Sequence, residues 1–458
     1  MTHDLKAERA GLGRRLDVRR GTVDMTHGSG GRASAQLIGE LFAKHLTNEW
    51  LAQGHDGAVM PPIVKPVAVS CDAHVVKPLF FPGGDIGRLA VTGTVNDVAM
   101  CGAKPLWLSA AFILEEGFPL ADLEKIVISM AETAKEAGVA IVTGDTKVVE
   151  KGHGDGVYIA TTGIGERLTD HLVSGKAARP GDVVLVSGSI GDHGMTVMSL
   201  REGMTFGTTL VSDCAPLGRM VEAIVAAAPN VHVLRDPTRG GLGTTLNEIA
   251  AESEVGILLH EAAIPVKDEV RAACEFLGLD PLFSACEGRL ICIVPADEAD
   301  AALAAMKADP HGAGAAKVGE VRSEGPGFVE METLMRGSCS PVSQSTMRRP
   351  PIRVSISTNP GPSERTSPTL AAPAPATSTP VWRTWPDWPT TRTSPMRPTQ
   401  AVTDTAATEP IPDYASAKGE STDAEAEAEQ AEENEHDDVA DTADTDTADA
   451  KENHNPQH

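Results

Sequence analysis

Aromatic residues are scarce: two tyrosines, five tryptophans and nine phenylalanines in 458 residues. No stretch approaches the ~20 apolar residues of a membrane span. The N-terminus carries arginines but no apolar run of the signal-peptide kind. Cysteines stand singly at 71, 101, 214, 274, 286, 292 and 339 and form no CxxC pair, which leaves zinc-ribbon and dithiol-redox chemistry without support. Their odd number fits reduced thiols. Basic excess is lacking as well. The formal charge is −25, of which residues 420–458, with fifteen acids and one lysine, supply −14, leaving −11 for the rest. That balance argues against a nucleic-acid partner. Together these absences imply a soluble cytoplasmic protein with no membrane and no nucleic-acid surface.

Aliphatic residues are plentiful over 21–335, enough for two ordinary cores. Residues 1–20 hold five arginines and little apolar pattern, and are expected to form a mobile arm. The pattern divides into an N-terminal unit, 21–170, and a C-terminal unit, 171–337. From 338 to 458 the chain is Pro/Ser/Thr-rich and then acidic, a composition too polar to offset the entropy of ordering, so a disordered tail is expected.

Candidate chemistry concentrates between Cys71 and Lys147. Val67–Ser70 reads as a strand leading to Asp72, either a ligand at a strand's end or a turn residue. Pro82-Gly83-Gly84 is a turn before Asp85, well placed as an N-cap, and the helix that follows is expected to run through Asn96 and Asp97 to Met100. Polar groups among Val95, Val98 and Ala99 must find partners, unless they mark a solvent-facing turn. Leu120 to Ala134 has helical spacing closed by Gly138, and Val139–Val142 reads as a buried strand leading into Gly144-Asp145-Thr146-Lys147. Upstream, Gly28, Ser29, Gly30 and Gly31 precede a helix, so free N–H groups there face either an anion or a flexible loop. Hard carboxylate ligands and glycine-rich loops suit magnesium and polyphosphate. Two later small-residue loops, 187–194 and 235–242, read most simply as strand–helix turns. Glu287 precedes a further strand, with a surface-turn carboxylate as its plain reading.

Taken in order, the motifs His27-Gly28-Ser29-Gly30-Gly31-Arg32, Val76 to Gly87, Gly93 to Met100, Thr143 to Val149, Ser187 to Gly194 and Leu234 to Leu242 resemble the HypE family of hydrogenase-maturation carbamoyl dehydratases. That family lies within the aminoimidazole-ribonucleotide-synthetase-like superfamily. The resemblance covers roughly residues 21–335. It implies an α+β fold of two domains: an N-terminal αβ domain that dimerises through its sheet, and a C-terminal α+β domain, with ATP between them. It implies ATP-dependent dehydration of a cysteine-bound carbamoyl group to a thiocyanate, whose cyanide becomes an iron ligand of [NiFe]-hydrogenase. ATP and Mg2+ follow as cofactors. A homodimer, a HypF-like carbamoyltransferase and a HypC-HypD-like iron scaffold follow as partners. By the same resemblance, Asp72, Asp97 and Asp145 would hold magnesium. Asp85, Asn96 and the glycines 28, 30 and 31 with Ser29 would hold the nucleotide. Lys147 and Glu287 would serve the deprotonation of the thiocarboxamide nitrogen.

The chain departs from the family in two places. Cys286 stands where the family often has asparagine. The family also ends in a Pro-Arg-Ile-Cys-like peptide whose cysteine carries the substrate, whereas here the match fades near 329–335 and the sequence runs on to His458. Cys339, in Gly337-Ser338-Cys339-Ser340, is not in such a setting and is not read as the substrate carrier. A frameshift near codon 337 or an appended tail would each produce this change. The alternatives are an ATP-binding scaffold without turnover and another ATP enzyme of the superfamily.

Overall fold

The long apolar helix expected after Asp85 is where the two halves of the molecule meet. In this computed structural model, residues 15–204, 210–333 and the backbone of 352–354 are described, and all lie in one compact unit. The helices are α1 (Gly31–Leu37), α2 (Ala43–His45), α3 (Ile86–Met100), α4 (Leu120–Ala137), α5 (Asp192–Arg201), α6 (Gly218–Ala227), α7 (Gly241–Glu252), α8 (Asp268–Leu277) and α9 (Ala299–Ala308). A π-helical turn, Ile38–Phe42, joins α1 to α2. The strands are β1 (Val67–His74), β2 (Phe80–Phe81), β3 (Gly84–Asp85), β4 (Ala103–Glu115), β5 (Ala140–Val149), β6 (Val157–Arg167), β7 (Val183–Val186), β8 (Val233–Arg235), β9 (Gly256–His260), β10 (Ile291–Val294), β11 (Ala316–Arg322), β12 (Val329–Glu332) and β13 (Ile352–Val354).

Four strands form the first sheet in the order β1-β6-β4-β5, with β4 and β5 parallel and the other pairs antiparallel. One face is covered by α3 and α4. Leu108, Phe112, Leu114 and Ile159 from the sheet join Leu89, Val95, Leu123, Ile126 and Met130 from the helices in one core. Each such aliphatic contributes about 1.5–3 kcal/mol by leaving water. Among the described residues, nothing covers the opposite face. Along β1 the residues alternate, and Val67 and Val69 are 51% and 61% exposed.

The second sheet runs β13-β12-β9-β11-β7-β10-β8. It is antiparallel except where β12 lies parallel to β9. Its central strands are continuous aliphatic runs because both faces are covered. Val184, Val186, Ile291 and Ile293 pack under α7, while Leu185, Cys292 and Val294 face α6 and α9.

Helix α3 is buried almost all round, including Thr92, Thr94 and Asn96, because it packs on the first sheet and also touches α6 and β8 of the second half. Its contact with β6 is close: a Cβ at Gly163 would lie 2.8 Å from a Val98 methyl. Helix α4 ends at Gly138, whose φ of 74° provides the left-handed cap that the sequence anticipates.

Two elements differ from expectation. Strand β5 does not stop before Gly144-Asp145-Thr146-Lys147 but continues through it to Val149, because β4 pairs in parallel with that whole stretch. Asp72 likewise lies inside β1, paired with Thr161 of β6. Residues 1–14 of the expected arm lie outside the described residues. Leu16 is held, its N–H donating to Glu40 Oε2 at 3.0 Å. Cys339 and nearly all of the expected tail also lie outside the described residues; the backbone of β13 pairs antiparallel with β12.

Candidate functional site

The first candidate cavity, of about 430 Å3, collects carboxylates from both halves. Asp72 comes from β1, Asp97 from α3, Asp236 from the residue after β8, and Glu287 from the turn before β10. Arg239, Arg235 and Glu248 also line it, the last two paired at 3.1 Å. Ser70 Oγ donates to Asp97 Oδ2 at 2.8 Å, and Thr238 Oγ1 to Asp236 Oδ2 at 2.8 Å. Burial, reinforced by Asp236 and Asp72, pushes the Asp97 carboxyl up to about 6. Burial also raises Asp236, with Asp72 adding to it. Glu287 is pushed well above the usual carboxylate range, first by burial and then by Asp236, Asp213, Asp72 and Asp97. Negative charge clustered in this way, opposed only in part by Arg235 and Arg239, favours a bound cation.

The Glu287 turn is fixed on several sides. Its N–H donates to Asp213 Oδ1 at 3.0 Å, and its carbonyl accepts from Asn96 Nδ2 at 3.2 Å. The N–H of Cys286 donates to Pro237 O at 3.1 Å. A Cβ at Gly288 would fall 1.8 Å from Asp213 O, so only glycine fits. The Cys286 thiol is buried, accepting from Gly191 N at 3.2 Å and donating to Ser284 O at 3.7 Å. Asp213 is itself buried and pushed up to about 6 by that burial, with Arg289 opposing the rise.

Asn96, expected at the nucleotide, is placed otherwise. Its Nδ2 also donates to Ala215 O at 3.0 Å, and its Oδ1 accepts from Leu217 N at 2.8 Å. With those groups engaged, it ties α3 to the second half and does not line the cavity. Asp85 takes the capping role: its Oδ1 accepts from Gly87 N at 2.6 Å and Arg88 N at 3.0 Å. It too stands apart from the carboxylate cavity.

A second cavity, of about 350 Å3, lies between the glycine loop and β5. Its wall includes His27, Gly28, Gly30, Asp145 and Lys147. Asp24 accepts from Thr26 N at 2.9 Å, and its own N–H donates to His27 Nδ1 at 3.0 Å, which sets the loop's entry. Ser34 Oγ donates to His27 O at 2.8 Å and accepts from Gly30 N at 3.0 Å. Ser29 Oγ donates to Thr26 O at 3.2 Å, and Gly31 opens α1. A Cβ at Gly28 would stand 2.8 Å from Val148 N, so the loop reaches β5 only without a side chain there. Lys147 Nζ pairs with Asp145 Oδ2 at 3.0 Å and holds that carboxyl below its usual value.

The three aspartates expected to hold magnesium are therefore divided within a chain. Asp72 and Asp97 face one cavity and Asp145 the other. The reason is the strand order: β1 and β5 are opposite edges of the sheet, separated by β6 and β4, or roughly 14 Å at the usual strand spacing. Lys147 and Glu287, both candidates for the deprotonation, are divided in the same way.

Three residues not singled out in the sequence join the site. Asp236 and Arg239 sit in a loop that reads as an ordinary glycine-rich turn, and Asp213 positions Glu287. The available signal was an acid directly after a short apolar run, as Asp236 follows Val233–Arg235. Among the described residues, no three His, Cys, Asp or Glu side chains converge closely enough to hold a metal unaided. Magnesium fits such an open carboxylate set, since it keeps waters and shares phosphate oxygens. The six described cysteines are free thiols, and no described helix is long and apolar enough to cross a membrane.

Residues 54–167 match the N-terminal domain of the AIR synthase related proteins, and residues 179–332 match the C-terminal domain. The fold is thus the two-domain α+β architecture of that class. Within it, the chain is 60% identical over 324 residues to carbamoyl dehydratase HypE of Azotobacter vinelandii, covering 71% of this chain and 95% of that protein. It is 48% identical over 304 residues to carbamoyl dehydratase HypE of Escherichia coli (strain K12), covering 65% of this chain and 90% of that one. A crystal structure of hydrogenase maturation protein HypE in complex with ATP superposes with a TM-score of 0.66 at 54% identity, covering 68% of this chain and 94% of that chain. A HypE–HypF complex gives 0.58 at 49% identity, covering 69% and 99%. The chain belongs to the HypE family of hydrogenase-maturation carbamoyl dehydratases.

Proposed function

We propose that this protein dehydrates a cysteine-bound carbamoyl group at the expense of ATP, yielding a thiocyanate that becomes an iron-bound cyanide. The observation that carries this reading is the carboxylate-lined cavity ending on Glu287, in a chain so similar to carbamoyl dehydratases. An amide oxygen is a poor leaving group. ATP supplies a phosphoryl group to that oxygen, with ADP departing. Loss of the two N–H protons and of the C–O bond then releases phosphate and leaves S–C≡N. Magnesium, held by Asp72, Asp97 and Asp236, would neutralise the triphosphate and orient it.

The chain's own groups do the rest. The loop that carries Gly28 and Gly30 closes over the nucleotide. Arg239 faces the phosphates. Glu287, held by Asp213 and Asn96, takes a proton from the carbamoyl nitrogen, and its raised proton affinity suits it to that role. Lys147 stabilises the transferring phosphoryl oxygens as a point charge.

The division of the site supports a homodimer. Among the described residues, the sheet face without a cover bears Val67, Val69 and Ile113, the last 43% exposed, and β1 and β5 each pair on one side only. Two copies closing sheet to sheet would bury that face and abolish the edges. Such closure sets β1 of one copy beside β5 of the other, so that Asp145 and Lys147 would complete a site containing the other copy's Asp72 and Asp97. A HypF-like transferase would load the carbamoyl group, and a HypC-HypD-like scaffold would accept the cyanide.

The test is incubation with an S-carbamoyl-cysteine peptide and MgATP, following phosphate release and peptide mass. Dehydration lowers the peptide by the mass of one water. No phosphate release and an unchanged peptide mass, with ATP still bound, would sink the dehydratase reading and leave an ATP-binding scaffold.

A further inference from the structure

Arg289 stands two residues beyond Glu287, yet it lines neither the carboxylate cavity nor the cavity at the glycine loop. Its side chain is only 13% exposed. The guanidinium reaches three backbone carbonyls. Nε donates to Ser189 O at 2.9 Å, and one terminal nitrogen donates to Gly288 O at 3.0 Å and to His311 O at 3.1 Å. It thereby fastens the Glu287 turn to the loop before α5 and to the loop after α9. Leu290 N donates to Ser187 Oγ at 3.0 Å and closes the same junction. The approach is close: a Cβ at Gly188 would stand 3.1 Å from Arg289 Nε.

The guanidinium also faces two buried carboxylates. Asp192 Oδ2 lies 3.6 Å from a terminal nitrogen, and Asp213 Oδ2 lies 3.8 Å from Nε. The two are not equivalent. Asp192 has a further cation, Lys267 Nζ at 2.7 Å. Among the described residues, Asp213 pairs with Arg289 alone, and its Oδ2 is buried with no hydrogen-bond partner. The other oxygen, Oδ1, accepts the N–H of Glu287 at 3.0 Å. An ionised carboxylate is the stronger acceptor for that N–H, whereas burial works against the ionised form.

We propose that Arg289 is a positioning residue for the dehydration: by pairing with Asp213 and fastening the neighbouring loops, it holds the main chain of Glu287 where the carboxyl reaches the carbamoyl nitrogen. The role rests on the dehydratase reading, in which Glu287 takes that proton. Arg289 lies outside both cavities and acts through Asp213. Without its charge the buried Asp213 takes up a proton, the hydrogen bond to Glu287 weakens, and the turn gains freedom. A base displaced by about 1 Å loses on the order of a hundredfold in rate, while a nucleotide bound by other residues is held as before.

The test uses the full chain with an S-carbamoyl-cysteine peptide and MgATP, together with hydrogen–deuterium exchange over residues 285–290. Arg289→Met removes the charge and its donors, whereas Arg289→Lys keeps the charge. Arg289→Met should lower kcat roughly tenfold or more, leave the KM for MgATP within about twofold, and speed exchange across the turn. Arg289→Lys should keep kcat within about fivefold of wild type. In the Asp213→Asn background, where no buried carboxylate awaits a cation, Arg289→Met should cost only about threefold in kcat. Equal losses in the two backgrounds, or a larger loss than this in Arg289→Lys, overturn the assignment. The lysine comparison decides it alone if Arg289→Met does not fold. Wild-type kcat and exchange in Arg289→Met overturn it and leave the dehydratase reading standing. Faster exchange in Arg289→Met, in a protein whose wild type never dehydrates the peptide, overturns the dehydratase reading and supports the fastening of the turn by Arg289.

Discussion

The side-chain amide of Asn96 donates to the backbone oxygen of Glu287 at 3.2 Å, across 191 positions of sequence. The same side chain holds Ala215 O and Leu217 N. One buried residue of the first half thus fixes the turn that presents the candidate base in the second. Replacing it by leucine leaves two carbonyls and one N–H without this partner. The expected loss is about 2–4 kcal/mol of stability, read from urea unfolding. In the folded fraction, kcat should fall more than MgATP affinity. A variant as stable and active as wild type would remove Asn96 from this role.

Asp213 sets a pH dependence with a definite sign. Its folded-state value of about 6 lies above the ordinary 3.8, so the folded state retains its proton where the unfolded state has lost it. Its contribution therefore declines as pH rises from about 4 to about 6 and is constant above that window. Asp213→Asn should flatten this part of the difference in stability between variant and wild type. Chemical denaturation at several pH values measures it. Parallel curves for the two proteins would contradict the assignment.

The glycine loop approaches β5 too closely for a side chain at position 28. Gly28→Ala should push the loop away from Val148 and weaken nucleotide binding roughly tenfold, a loss of ~1.4 kcal/mol. Circular dichroism should change little, since the loop carries few core contacts. Unchanged nucleotide titration would show that the loop does not close on ATP.

A site built from two copies can be recovered by mixing. Asp72→Asn and Lys147→Ala should each abolish turnover alone. If closure pairs β1 with β5 of a partner, random re-association of equal amounts restores one intact site in half of the dimers, about a quarter of wild-type activity. Mixtures that stay inactive after exchange would place the whole site within one chain.

Magnesium should stabilise the protein together with ATP, because Asp72, Asp97 and Asp236 repel one another when it is absent. Adding EDTA to the MgATP-loaded protein should lower Tm by several degrees. In Asp236→Asn the metal-dependent part of the shift should shrink. An equal shift in that variant would exclude Asp236 from the metal.

Much of this was legible in the sequence because it depends on neighbours along the chain. The apolar spacing and the Asp85 and Gly138 caps foretold α3 and α4, since capping and periodicity are local. Strand β5 was cut short because glycine and aspartate in a strand look like a turn until a parallel partner supplies their hydrogen bonds. Asn96 was recognised as needing partners, but those partners lie more than a hundred residues away.

The sequence by itself determined the two-core composition, the family motifs in their order, and the residues rich enough in charge or glycine to bind a nucleotide. Only the tertiary structure decided which of them share a cavity. Strand order put Asp72 and Asp145 on opposite edges of one sheet, and the crossing of α3 into the second half brought Asp97, Asp236 and Glu287 together. Motif spacing cannot carry that information, because sheet order and the packing of a helix between two halves are set by long-range burial and pairing, not by neighbours in the chain.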